Sequence, residues 1–428
     1  MTLNNKNIII YGLGQSGIST YKKLKNDNNI FIWDDSVKKR LDLEKNGYIF
    51  IDPINWPWDK IDLLIPSPGI AINYGMNSFI VKESKRRNIE IINDIEIFYR
   101  ELKSLGKKKI IAVTGTNGKS TFVSILYELL KNSGFNVSLG GNIGIPVLNL
   151  NVKKYDLFIL ELSSFQLELI RDFKADIAVL LNISEDHAER YQTFDQYQEA
   201  KANIFLNQTN DDIAIMEKEY LPNKFLDKIS SLPKKIFINM SNFIDIKEEN
   251  SQNLIINKIL PFLLIVTDIL GVNRDFVINK LSNFKNLDHR VNPICSINGI
   301  NFIDDSKATN PAAANFAASQ FEDIYWILGG LSKNNDLKKL DFFKTNIRKI
   351  FLIGSSTKKL SKIIPQGVDF EISGSLEKAT ISAYMAALKN QKGCVLLSPG
   401  CSSQDDFLNY QERGKKFANI INNLELIC

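Results

Sequence analysis

Histidine and cysteine are both scarce in this chain of 428 residues, which has two of the first and four of the second. The cysteines (Cys295, Cys394, Cys401, Cys428) are scattered and form no C-x-x-C pair. That spacing argues against a disulfide framework and a cysteine zinc site, and fits a reducing compartment. Long apolar runs are missing too. The longest, Ile259 to Leu270, is interrupted by Pro261 and Asp268 and is too short to span a bilayer. No signal-peptide layout precedes the first strand-like segment, which begins at Ile8. No basic run suits a nucleic-acid tail: Lys107-Lys108-Lys109 is short and leads into a strand, and the net charge is only +5. These absences predict a soluble, cytoplasmic protein that neither enters a membrane nor takes nucleic acid as a partner. With 44% hydrophobic and 24% charged residues the chain buries ordinary cores, and its length suggests about three domains.

What the chain does have is a phosphate cradle. The apolar segment Ile110 to Val113 runs into Thr114-Gly115-Thr116-Asn117-Gly118-Lys119-Ser120-Thr121, followed by an amphipathic pattern through Phe122, Leu126, Leu129 and Leu130. Glycines let several backbone N–H groups face one point, the following helix adds its positive end, Lys119 adds a full charge, and the hydroxyls suit Mg²⁺. The strict Walker spacing is not met, because Val113 stands where that motif has glycine. The plainer alternative, a chance glycine turn before a helix, fits the strand–turn–helix order less well.

A second glycine pattern lies upstream. The strand Asn7 to Tyr11 leads into Gly12-Leu13-Gly14-Gln15-Ser16-Gly17, and the next strand, Ile30 to Trp33, ends in Asp34-Asp35. This is a Rossmann-like unit that suits a diphosphate-bearing ligand at Gly14, Gln15, Ser16, Gly17, Asp34 and Asp35. Close helix–strand packing through Gly17 explains the same glycines without a ligand. The strand Leu63 to Ile65 runs into the stiff loop Pro66-Ser67-Pro68-Gly69, placing Ser67, Pro68 and Gly69 at the edge where such sheets bind ligands. Further on, Gly140-Gly141-Asn142 forms another candidate ligand loop. Glu161 ends an apolar strand, where a carboxylate is costly unless paired, and a metal beside the phosphate loop would pair it. The strand Asp176 to Ile183 opens into Ser184-Glu185-Asp186-His187, which sets one of the two histidines at the same sheet edge. Thr193 begins a helix that carries Lys201.

Taken in order, TGTNGKST (114–121), GGNIGIP (140–146), ELSSFQLE (161–168), NISEDHAERY (182–191) and the Ala200-Lys201 helix resemble the Mur ligases, the amide-forming enzymes of peptidoglycan precursor synthesis. LDHR (287–290), DDSKATNP (304–311) and SPGCSS (398–403) are similar to the D-glutamate-adding branch. The resemblance covers nearly the whole chain. It implies an α/β fold of three domains: a Rossmann-like domain (1–93) for UDP-N-acetylmuramoyl-L-alanine, a P-loop-type ATPase domain (94–287), and a Rossmann-like domain (288–428) for D-glutamate. ATP would meet Gly115 to Thr121, Asn142, Arg290 and Asp305. One Mg²⁺ would bind Ser120 and Glu161, and a second would bind His187 and Lys201, the lysine being carbamylated by CO₂. An ammonium about 4 Å from Mg²⁺ is repelled by roughly 8 kcal/mol at an effective dielectric of about 20, and adding CO₂ reverses that sign. D-Glutamate would meet Lys307, Thr309, Lys333, Ser403 and Tyr410. A monomer is expected.

Three departures stand out. Leu331 replaces an aspartate common in the family, Gln404 and Tyr410 stand where leucine and phenylalanine are frequent, and the adenine-side motif is reduced to Gln252-Asn253-Leu254-Ile255-Ile256-Asn257. Three other readings compete. A nicotinamide-dependent dehydrogenase rests on Gly12, Gly14, Gly17 and Asp34 but leaves Glu161 and His187 unused. A non-catalytic nucleotide switch would use the middle segment alone. A sister ligase for another amino acid conflicts with DSKATN and SPGCSS.

Overall fold

Short β-branched and leucine-rich runs between polar turns fold as strands, and their near-continuous apolar character suits parallel sheets covered on both faces. In the computed structural model they build three sheets. The structure describes residues 3–75, 78–106, 108–221, 233–239, 254–282, 284, 286–332, 335–343 and 346–425. Lys107, Gln252, Asn253, Lys333 and Cys428 lie outside the described residues.

The first sheet contains β1 (Asn7–Tyr11), β2 (Asn29–Trp33), β3 (Leu63–Pro66) and β4 (Glu90–Ile91), all parallel, in the order β2-β1-β3-β4. The second contains β5 (Lys109–Thr114), β6 (Val137–Gly141), β7 (Leu157–Glu161), β8 (Ile177–Leu180), β9 (Ile213–Met216) and β10 (Lys234–Phe237). It too is wholly parallel, ordered β10-β9-β8-β5-β7-β6. The third holds β11 (Asn292–Ile297), β12 (Ile300–Asp304), β13 (Ile324–Gly329), β14 (Ile347–Ile353), β15 (Phe370–Gly374) and β16 (Gly393–Leu397). Its order is β11-β12-β16-β13-β14-β15, and β11 runs antiparallel to β12. The hairpin between them turns on Asn298-Gly299, both at positive φ, as a tight two-residue turn requires. The first two sheets belong to one compact unit, residues 1–283, and the third to another, residues 284–428.

Sheet order decides where ligands can sit. In the second sheet β5 lies between β7 and β8, so the turn after Thr114 emerges between the carboxyl ends of two strands on opposite sides. Crevices in open α/β sheets form at such points. The helix Lys119–Asn132 then buries Phe122, Val123, Leu126, Leu129 and Leu130. Its N-cap, Gly118, has φ +82°, a conformation that favours glycine.

Two carboxylates, one buried and one half-buried, brace this unit. Glu96, fully buried on the helix Asp94–Ser104, accepts the amides of Arg171, Asp172 and Phe173 at 2.9, 2.9 and 3.1 Å. Asp176 accepts the Ile110 amide at 2.8 Å and so stays outside β8. The strand expected over 176–183 is therefore shorter, and it stops at Leu180 because Asn182 turns its side chain to the phosphate loop. Pro261 interrupts the apolar run in composition without ending the helix. It lies inside the helix Leu254–Ile269, which continues past it. Burial of Leu260, Phe262, Leu263 and Leu264 offsets the hydrogen bond that proline cannot donate. Among the described residues no helix is long and apolar enough to cross a membrane.

Gly17 is the tightest point of the first sheet. A Cβ there would lie 2.0 Å from the Gly12 carbonyl oxygen. That oxygen also accepts the Ser67 hydroxyl at 2.5 Å, so helix, glycine turn and the 66–70 loop are locked together. Gly17→Ala should destabilise unit 1 by about 1–3 kcal/mol, as overpacking against backbone does. A urea titration followed by tryptophan fluorescence checks this, since Trp33, Trp56 and Trp58 lie in that part of the chain. An unchanged midpoint would refute it.

Candidate active site

The centre of the site is one peptide oxygen. Lys119 Nζ donates to the carbonyl of Gly115 at 2.6 Å, and to that of Thr116 at 2.9 Å. Lys201 Nζ, reaching in from the helix Phe194–Ala202, donates to the same Gly115 oxygen at 2.8 Å. Lys201 is only 1% exposed. Burial, and then the neighbouring Lys119 ammonium, hold its amine well below the ordinary lysine range, against the pull of Asp186 and Glu161. The fold therefore brings Lys119, Lys201, Glu161 and Asp186 into electrostatic contact across long separations in sequence.

The loop itself is held from behind. Asn182 Oδ1 accepts the Asn117 amide at 2.9 Å, and its Nδ2 donates to the Asn117 carbonyl at 3.0 Å. Thr116 Oγ1 donates to the Ser184 carbonyl, accepts the Ser184 amide, both at 3.0 Å, and lies 3.1 Å from the Tyr197 hydroxyl. The Tyr197 ring lies 4.7 Å below Lys201 Nζ. The sequence reading passed over Asn182 and Tyr197. Their only signal was membership of the NISEDHAERY stretch and of the helix after it.

Ser120 and Thr121 are buried in the first turn of the helix at Lys119, each 4% exposed. Glu161 is 2% exposed at the end of β7. Its Oε1 accepts Asn142 Nδ2 at 2.8 Å, and the Asn142 amide donates to its carbonyl at 2.8 Å. Its Oε2 is buried with no hydrogen-bond partner among the described residues. A desolvated carboxylate oxygen without a donor is what a hard cation would complete. Among the described residues no three His, Cys, Asp or Glu side chains cluster to hold an ion by themselves. Mg²⁺ characteristically takes one or two carboxylates and fills its shell with phosphate oxygens and water, so Ser120 and Glu161 fit it. His187, at φ +55°, has Nδ1 3.0 Å from Glu189 Oε1, and its ring centroid lies 4.6 Å from that of Phe165, tilted by 60°.

The candidate residues of the first sheet also lie together, at the carboxyl ends of β1, β2 and β3. Gly14 is the N-cap of the helix Gln15–Leu24. The Asp34 carboxylate accepts the Leu13 amide at 2.7 Å and the Ser36 amide at 3.1 Å, with Lys39 Nζ at 3.1 Å. Burial alone would raise its pKa, yet these donors hold it below the usual value. Asp34 thus shapes the glycine turn, while Asp35 takes the Tyr11 hydroxyl. Ser16 bonds the buried carboxyl of Asp94, which burial pushes up to about 6.

In the second unit, the loops after β12, β13 and β16 meet at one sheet edge. Lys307 Nζ lies 3.8 Å over the Tyr410 ring, Ser403 is buried and Thr309 is exposed. Leu331 pairs with Ser402 through both backbone groups. Beneath them sits Arg413, 1% exposed, which the sequence reading did not single out. It donates to Ser306 Oγ at 2.9 Å, to the Ser306 carbonyl at 2.8 Å and to the Cys401 carbonyl at 3.2 Å. Arg290 lies beside His289, whose Nδ1 is 2.6 Å from Asp304.

The comparisons with known proteins decide the family. The Mur ligase middle domain matches residues 113–255. The UDP-N-acetylmuramoylalanine–D-glutamate ligase of Rickettsia bellii is 33% identical, with all of both chains covered. The chain belongs to the Mur ligase family. The equivalent ligase of Wolbachia pipientis is 31% identical over 98% of this chain and 97% of its own. The MurF ligase of Thermotoga maritima shares the fold, with a TM-score of 0.59 at 17% identity, over 86% of this chain and 96% of that one. As a Mur ligase, the chain is an ATP-dependent, ADP-forming enzyme of peptidoglycan precursor synthesis.

Asp305 offers a pH test of this geometry. It is 6% exposed, and burial raises its carboxyl to about 7, against the Ser398 hydroxyl at 2.7 Å and the Val291 amide at 3.2 Å. The folded protein therefore keeps a proton that the unfolded chain releases near pH 4. The stability this contributes is fully present below about pH 4 and is lost as pH rises through about 7. Asp305→Asn should be about as stable as the parent at pH 5 and more stable at pH 8, by on the order of 1–3 kcal/mol. Urea unfolding at the two pH values reads the difference; equal shifts at both would reject it.

Proposed function

We propose that this Mur ligase joins the amine of D-glutamate to the carboxylate of UDP-N-acetylmuramoyl-L-alanine, in the cytoplasm and as a monomer. The observation that carries the reading is the pair of lysines on the Gly115 carbonyl beside the unpaired oxygen of Glu161. Full-length similarity to relatives named for D-glutamate supports the choice of amino acid. Residues 1–93 take the UDP substrate through Gly14 to Gly17, Asp34, Asp35 and Ser67 to Gly69. Residues 94–287 take ATP through Gly115 to Thr121 and Asn142. Residues 288–428 take D-glutamate through Lys307, Thr309, Lys333, Ser403 and Tyr410.

The chemistry needs an activated acyl group. A carboxylate oxygen of the L-alanyl group bonds the γ-phosphorus, the bridging P–O bond breaks, and ADP leaves with that electron pair. The deprotonated D-glutamate amine then adds to the acyl-phosphate carbonyl, and the tetrahedral species expels phosphate. Lys119 and the loop amides neutralise charge on the triphosphate, already oriented by Asn182 and Thr116 before substrate arrives. Ser120 and Glu161 would hold one Mg²⁺, and His187 with carbamylated Lys201 a second, supplying further neutralisation of phosphate charge. Lys201 suits carbamylation: burial and the neighbouring Lys119 make its amine give up a proton more readily, and the freed lone pair attacks CO₂. The product is an anion where an ammonium would be repelled.

Phosphate release should appear with ATP, UDP-N-acetylmuramoyl-L-alanine and D-glutamate, and with no other amino acid tested. Release with L-alanine or a diamino acid instead would overturn the assignment. Lys201→Ala should lower turnover by about 100-fold or more, in line with the loss of a preorganised charge. In ¹³C-bicarbonate the parent should show a carbamate resonance that Lys201→Ala lacks; a parent without that resonance would remove the carbamate.

A further inference from the structure

The NISEDHAERY loop carries a buried ion pair that the reaction as described does not use. Arg190 is 6% exposed and Glu168 is 8% exposed. Arg190 Nε and Nη2 each donate to one Glu168 oxygen at 2.9 Å, a bidentate pair, and the Tyr191 hydroxyl donates to Oε1 at 2.6 Å. The remaining nitrogen, Nη1, donates at 3.1 Å to the carbonyl of Pro68, which lies 122 residues away in the loop after β3. A second strap reaches the same place, since Asn73 Nδ2 donates to the Glu168 carbonyl at 3.2 Å. Phe165 lies between the guanidinium, 4.4 Å away, and the His187 ring, 4.6 Å away. The amides of Arg190 and Tyr191 also donate to the His187 carbonyl, at 2.9 and 3.0 Å.

We propose that Glu168 and Arg190 are positioning residues that fix the strand-end loop 66–70 of the first sheet against the loop bearing His187. They would thereby set the acyl substrate's carboxylate in register with the triphosphate. The inference rests on the reading above that these two loops serve the UDP substrate and ATP. The pair is neutral overall, so it adds no attraction for phosphate. Buried ion pairs also stabilise little more than apolar residues of the same volume. What distinguishes this one is geometry: a planar fork that satisfies a carboxylate with two donors keeps a third for another loop, and lysine cannot reproduce this.

Two variants separate positioning from folding. Arg190→Lys keeps a charge for Glu168 but cannot also reach Pro68. The double variant Glu168→Leu with Arg190→Met removes both charges and leaves no buried ion unpaired. Calorimetry with a magnesium-bound ATP analogue and with UDP-N-acetylmuramoyl-L-alanine, each alone, is set beside steady-state rates and melting temperatures. In both variants the KM for the UDP substrate should rise about tenfold and kcat should fall, as loss of one charged hydrogen bond implies. Analogue affinity should stay within about twofold. Parent-like KM and kcat in Arg190→Lys would overturn the inference, as would equal losses for both ligands in step with melting temperature. A parent protein that fails to use D-glutamate would instead overturn the functional reading, and the same rate assay shows this before any variant is made.

Discussion

Two lysine amines donating to one buried carbonyl form the constraint on which the rest of the site depends. Like charges about 4–5 Å apart repel by roughly 3–4 kcal/mol at an effective dielectric of about 20. With Lys201 1% exposed, solvent does little to relieve this. The protein has two ways out: one amine gives up its proton, or an anion comes to lie beside them. In the proposed reaction both occur, because Lys201 exchanges a proton for CO₂ and a triphosphate meets Lys119. The oxygen that collects the two amines is fixed by backbone geometry. Gly115 sits between β5 and a loop that Asn182 grips by both its amide and its carbonyl neighbours.

This arrangement explains why the loop functions without the full Walker spacing. A phosphate cradle needs N–H groups held toward a single point; the glycine missing at Val113 is one means of holding them. Here the holding comes from outside the loop, through Asn182, Ser184 and Tyr197 on Thr116 and Asn117. The sequence therefore departs from the motif where tertiary hydrogen bonds have taken over its role. Preorganisation of this kind lowers the reorganisation needed when phosphate charge develops.

The strands β1, β2, β3, β5, β7 and β8, and the glycine turns and polar residues at their carboxyl ends, were readable from residue pattern alone, because period, apolar runs and glycine turns are local. Glu161 was readable for the same reason: an acid that ends an apolar run has a desolvation problem visible in one dimension. Asn182, Arg190 and Arg413 were not. Each acts through a partner 65 or more residues away, at Asn117, Pro68 and Ser306 respectively, and nothing near them in sequence announces it. Asp34 marks the limit of motif reading. Its place at a strand end was legible, but the bonds of its carboxylate to the amides of Leu13, in the glycine turn 21 residues away, and of Ser36 were not.

The buried cations divide by what surrounds them. Arg190 is matched by Glu168 and is neutral as a pair, so its contribution is shape. Lys201 and Arg413 form no ion pair within salt-bridge distance among the described residues, and each rests on peptide carbonyls. Arg413, which burial lowers to about 10, still carries its charge at neutral pH. Its Nη1 has no hydrogen-bond partner among the described residues, at a point where the loops after β13 and β16 meet. Desolvating a cation without a carboxylate costs stability unless its field is used. A dicarboxylate amino acid at that sheet edge, as proposed for D-glutamate, would draw on the field directly. The carboxylates of Asp405, Asp304 and Asp305 already bear on Arg413, and the proposed D-glutamate would add the acceptor that Nη1 lacks among the described residues.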